Sequence, residues 1–152
     1  GWPLELVATA FTGYALGHVL MLLVAGPLVD RLGAQRALPL TLLPLLIGMM
    51  ALALGQTMAT PYVYLSCAGI AQGGMATAGG ALWAERYGVR YLGAVRAMAQ
   101  AVMIVSTAVA PVVAGLVLDM AGVATLGILL AIVTGLAMIL AWLAPAKSSA
   151  RT

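Results

Sequence analysis

Asp30, Arg31 and Arg36 lie close together between two long apolar runs, with glycines at 26 and 33 beside them. Gly26 to Arg36, GPLVDRLGAQR, therefore reads as a short loop held at a membrane surface. A carboxylate without a partner is costly at such a boundary. Asp30 calls for a helix N-terminus, with its free amides and positive dipole, or for an arginine. Within the chain, the charges predict a pair between Arg31 or Arg36 and Glu85, at the end of a later apolar run. Such a cluster can lock one end of a helix bundle in one state and must break in another. The alternative is a solvated loop that only sets topology.

A second group of polar residues lies inside apolar sequence. His18 is the single histidine, with Tyr14 one helical turn before it and Phe11 before that. Ionisable groups within membrane helices face a bundle interior or a wet path, and a histidine there can carry a proton near neutral pH. A neutral histidine bonded to a nearby hydroxyl or carbonyl serves structure equally well. Gln72 and Tyr64 fall in one apolar run; Gln100, Thr107 and Pro111 share a helical face of another at i, i+7 and i+11. Tyr14, His18, Tyr64, Gln72, Gln100 and Thr107 are the candidates for a substrate or proton pathway. Each also suits an interhelical hydrogen bond.

Other chemistries lack their residues. One histidine makes no HExxH zinc site, and neither G-x-S-x-G nor a P-loop lysine occurs. No nucleophile and base form a persuasive pair. The sequence thus implies no enzyme, no cofactor, no metal and no catalytic residue. Cys67 is the only cysteine, which excludes an internal disulfide.

These residues must be positioned by membrane helices. Of 152 residues, 64% are hydrophobic and 7% charged, and mean hydropathy is +1.11; a soluble domain carries about 25% charge. Crossing the hydrocarbon layer takes about 20 helical residues, because only the helix's own carbonyls can satisfy its amides there. Five runs qualify: about Leu4 to Val29, Leu38 to Leu54, Pro61 to Ala84, Arg96 to Leu118 and Val123 to Leu143. The expected fold is an all-α membrane protein, with a transmembrane bundle over 1–145 and a polar tail over 146–152. Pro39 suits a first helical turn, whereas Pro44 predicts a kink or a late helix start. No signal peptide is evident, and Gly1 is not expected to be the natural start.

Charge sets the orientation. Arg31 and Arg36 follow the first run, Arg86, Arg90 and Arg96 lie between the third and fourth, and Lys147 and Arg151 follow the fifth. With five crossings all seven basic residues share one face, which the positive-inside rule makes cytoplasmic. The opposite face has Glu5, the Gln56 to Thr60 turn and Asp119. The N-terminus is then outside and the C-terminus inside. The net charge of +3 is spread over several loops and makes no stripe for nucleic acid. Gly13 and Gly17, Gly69 and Gly73, and Gly127, Ala131 and Gly135 are spaced to let helix backbones approach closely.

Gly26, Asp30, Arg31 and Gly33, as G-x-x-x-D-R-x-G between two membrane helices, resemble the signature loop of the major facilitator superfamily (MFS) of transporters. That family has twelve helices in two six-helix halves, with the loop after helix 2 and again after helix 8. Two basic residues usually follow the second glycine; here these are Ala34 and Gln35, with Arg36 one place late, as in a degenerate second copy. In the first half an arginine precedes x-x-Q-G two crossings later; here Gln72 and Gly73 are present, but Gly69 takes the arginine position. Glu85 to Arg96, ERYGVRYLGAVR, looks like the link between helices 10 and 11. Pro111 resembles the proline of the antiporters' G-P-x-x-G pattern, with alanines at two glycine positions, and reads as a bend.

The resemblance covers the whole chain and implies helices 8 to 12, a partial six-helix half-bundle lacking the first seven helices. It implies transport of a small solute by alternating access, coupled to a proton or other ion, in a cell or inner membrane. Gly26, Asp30, Arg31, Gly33, Arg36 and Glu85 would form the conformational switch, with Asp30 gripping helix 5 of the absent half. The expected partners are those missing helices, the solute, its coupling ion and the lipid bilayer. Two alternatives stay open: a scaffold or assembly subunit whose polar residues only pack helices, and helices 2 to 6 of an N-terminal half.

Overall fold

The computed structural model describes residues 2–55, 57–88 and 90–144. They form four helical elements, α1 Leu4–Leu32, α2 Ala34–Leu54, α3 Thr60–Tyr87 and α4 Leu92–Leu143. The tail expected at 146–152, with Lys147 and Arg151, lies outside the described residues. By length and composition α1, α2 and α4 can cross a membrane. α3 is 28 residues long, but its glycines, alanines and hydroxyl side chains dilute its apolar character.

The five expected runs fall in four helical elements, the last of them broken at a single residue. The fourth and fifth runs merge into α4, and within it only Gly122 leaves helical geometry, at φ 79° and ψ 176°. That region is essentially open to glycine alone. No run of turn-forming residues surrounds Gly122, so the whole change of direction falls on it. Arg96 near the start of α4 lies against Gly80, while Ala144 at its end meets Gln35. Both ends of α4 thus sit at the same end of the bundle, and the chain turns back at Gly122 into arms 92–121 and 123–143.

A similar device replaces the loop expected over Gly26 to Arg36. Residues 26–32 continue α1, α2 starts at Ala34, and Gly33 alone joins them at φ 77° and ψ 149°. Its amide donates to Val29 O at 2.8 Å, and its carbonyl accepts from the Ala37 amide at 3.0 Å, so both helix ends are served by one residue. The early start of α2 places Pro39 inside the helix instead of in its first turn, and the helix runs on through Pro44. Val29, Ala34, Ala37 and Ala78 form a buried apolar cluster behind this joint.

Small residues set the packing. α1 and α3 run parallel in a fixed register: Trp2 Nε1 donates to Thr57 O at 2.9 Å, and Thr9 Oγ1 and Tyr62 OH share a hydrogen bond of 2.6 Å. Further along, Gly69 meets the Tyr14 carbonyl, and a Cβ on Gly73 would stand 2.6 Å from His18 O. Gly17 returns the fit, its Cβ position being 2.8 Å from Ser66 O. α2 runs antiparallel to both α3 and the second arm of α4. Gly74 seats Thr41, and Gly127 lies against the backbone of Ala53. Backbone approach of this kind supplies the van der Waals contact that drives helix association in lipid. The first arm of α4 is different, being exposed at every residue from 100 to 113.

Candidate functional site

A cavity of about 440 Å³ opens between α3 and the first arm of α4. On α3 its wall is Gln72, Ala76, Gly79 and Trp83, at i, i+4, i+7 and i+11, which is one helical face. On α4 the wall is Arg96, Gln100 and Met103, again at i, i+4 and i+7. At about 1.5 Å per residue the groove extends about 16 Å along α3 from Trp83 to Gln72. Gly79 and Gly80 leave space between the helices, and the Arg96 guanidinium lies over Gly80, 3.5 Å from where a Cβ would stand. Trp83 stacks on Tyr87 with ring centres 5.8 Å apart.

The groove therefore brings Gln72 and Gln100 together from two helices. Tyr14, His18, Tyr64 and Thr107 are not among its lining residues. Tyr14 and His18 are ring neighbours on α1 at 5.9 Å, half-buried where α1 packs on α3. Tyr64 contributes its backbone to the close approach of Gly48. The Thr107 hydroxyl donates back to Met103 O at 2.8 Å within its own helix. Sequence reasoning overlooked Arg96, Trp83, Met75 and Met103. The signal for Arg96 was its position four residues before Gln100, hence one turn away on the same face.

The second site is the joint between α1 and α2. Five arginines, Arg31, Arg36, Arg86, Arg90 and Arg96, gather at this end among the described residues. α2 carries no capping side chain of its own. Instead the Ala34 amide donates to Glu85 Oε1 at 3.3 Å, so the carboxylate of α3 occupies the positive end of the α2 dipole. Gln35 Nε2 donates to the Ala144 carbonyl at the end of α4. Arg36 and Glu85 line a shared cavity of about 510 Å³. Among the described residues no ion pair joins Glu85 to Arg31 or Arg36, in contrast to the pair predicted from charge; the helix N-terminus has taken that role. Asp30 and Arg31 are exposed in the last turn of α1. Around Gly26 no atom lies within 4 Å of a Cβ position.

Residues 1–152 match the sequence model of the Major Facilitator Superfamily. The chain belongs to the Major Facilitator Superfamily. No curated protein and no solved structure matches it. Membership makes it a membrane transport protein with a small solute as its substrate class. Among facilitators, the first-half pattern would place an arginine where Gly69 stands, and the packing explains the departure. The Tyr14 carbonyl already occupies the space that any side chain at 69 would need.

Proposed function

We propose that this chain supplies helices 8 to 12 of a secondary transporter that moves a small solute by alternating access, coupled to an ion gradient. The observation that carries this reading is the groove shared by Gln72 and Gln100. Solute sites of such proteins are concave, mostly apolar and equipped with a few converging polar groups near mid-depth. The exposed first arm of α4 offers its remaining faces to helices that precede this chain. Gly26, Asp30, Arg31, Gly33, Arg36 and Glu85 act as the conformational switch at the basic end, which is cytoplasmic in an inner membrane. The N-terminus is then outside, the bundle covers 1–145, and the tail 146–152 is cytoplasmic.

Asp30 supports the switch. Its carboxylate sits at the negative end of the α1 dipole, where the helix disfavours it. Among the described residues no group bonds it. A partner on another helix, engaged in one state and released in the other, accounts for an acid in that place.

The test is counterflow in proteoliposomes of the full-length protein, with labelled carboxylates, sugars and drugs. Exchange of at least one solute is expected, and Asp30→Asn should slow it at equal amounts of reconstituted protein, while lowering surface expression in cells by less. A folded protein that exchanges nothing would return the chain to the scaffold reading.

A further inference from the structure

We infer that the groove between α3 and the first arm of α4 binds an organic anion, with Arg96 holding the anionic group. This rests on the transport reading above and adds the charge class of the ligand. Among its lining residues Arg96 is the only charged side chain, and no carboxylate faces it from either wall. The other polar groups there are neutral: the carboxamides of Gln72 and Gln100 and the indole N–H of Trp83.

A planar guanidinium offers paired donors that match a carboxylate or phosphate. It stands over Gly80, whose missing side chain leaves its head free to face the groove. Trp83, Met75 and Met103, which line the same groove, present aromatic and thioether surface to an apolar body, and Met adapts to irregular shapes. Gln72 and Gln100 lie deeper along the same faces, where they can bond a hydroxyl, carbonyl or second carboxylate oxygen. Arg96 is near the helix end and the glutamines are further in, so an anion entering from the basic end meets the charge first and the amides next.

Anionic headgroups of lipid and free carboxylates share this chemistry, and the experiment separates them. Full-length protein is placed in nanodiscs of phosphatidylcholine alone, or with phosphatidylglycerol, and equilibrium binding of labelled benzoate and of neutral benzamide is measured. Benzoate is expected to bind in phosphatidylcholine and to weaken about ten- to a hundredfold in Arg96→Gln, the range for a hydrogen bond to a charged group. Arg96→Lys should recover part of the loss, and benzamide should be unaffected by either change. Gly79→Leu provides a second variant, since nothing lies within 4 Å of its Cβ position; it should block binding by filling the groove while leaving Arg96 intact.

Phosphatidylglycerol that binds in an Arg96-dependent way, in place of benzoate, would identify lipid as the source of the anion and overturn a solute site. Binding of neither anion, or benzoate binding indifferent to Arg96, would overturn the inference entirely. Binding that depends on Arg96 without counterflow of any solute would sink the transport reading while sustaining the anion site.

Discussion

The amide of Ala34 and the carboxylate of Glu85 meet at 3.3 Å across 51 positions of sequence. One hydrogen bond thus ties the start of α2 to the end of α3, and Glu85 caps a helix to which it does not belong. Removing an N-cap typically costs about 0.5–2 kcal/mol, and Glu85 is exposed, which places the effect at the low end. Glu85→Ala should therefore lower stability by about 0.5–1 kcal/mol. Glu85→Gln should lose less, because its oxygen still accepts while its charge is gone. Thermal unfolding in detergent measures both, and equal stability of all three proteins would refute the capping role.

Gly26 and Gly33 both belong to the motif that resembles the family signature, but the backbone asks different things of them. Gly33 needs φ 77°, so Gly33→Ala should cost about 1–3 kcal/mol through backbone strain alone. Gly26 is helical with nothing near its Cβ position, so Gly26→Ala should leave stability unchanged or raise it by up to about 1 kcal/mol. Loss of transport by a well-folded Gly26→Ala protein would show that this position meets a helix outside the chain.

Much of this architecture was legible because lipid constrains it. Only long apolar helices satisfy their amides in a membrane, so the runs are readable from composition, and the small-residue rows mark faces of close approach without saying which helices they join; the structure pairs two of them, Gly13 and Gly17 with Gly69 and Gly73, at the α1–α3 contact. The joints were not readable. Polar and charged residues normally signal a loop, yet Asp30, Arg31 and Arg36 are helical here because one glycine in a rare conformation makes the whole turn. The candidate site was half legible for a related reason. Gln72 and Gln100 stand out as amides in apolar sequence, whereas Arg96, at the edge of its run, reads as a topology charge, since nothing local says that α4 begins at Leu92 and carries it onto the groove face.

The α1–α3 contact makes a sharp contrast among glycines of one helix. Gly73→Ala would bring a Cβ to 2.6 Å from His18 O, a backbone atom that cannot rotate away. Overpacking of this kind costs about 1–3 kcal/mol. Gly79→Ala, with open space around it, should be neutral or mildly stabilising. Denaturation of the two variants in parallel checks the register, and similar stability of both would mean that α1 and α3 are not seated as described.

His18 tests the division between packing and pathway. Its carbonyl supports Gly73, its ring adjoins Tyr14, and it is not among the groove's lining residues. His18→Gln should therefore keep the pH dependence of uptake, with at most a small loss of stability. A pH profile that flattens in this variant would return His18 to the proton pathway.

Gln35 occupies a place where the family signature usually carries a basic residue, and the structure gives its substitute a task. The Gln35 amide donates to the Ala144 carbonyl, serving one of the last carbonyls of α4, which have no partner within their own helix. Gln35→Ala should free the end of α4 and cost about 1 kcal/mol, the usual net worth of such a bond. Gln35→Lys restores the family's charge, keeps a donor and adds a cation at the negative end of the α4 dipole. It should match or exceed the parent in stability. If lysine proves as damaging as alanine, the fit of the carboxamide matters more than its donor, and the departure at this position reflects shape and not hydrogen bonding.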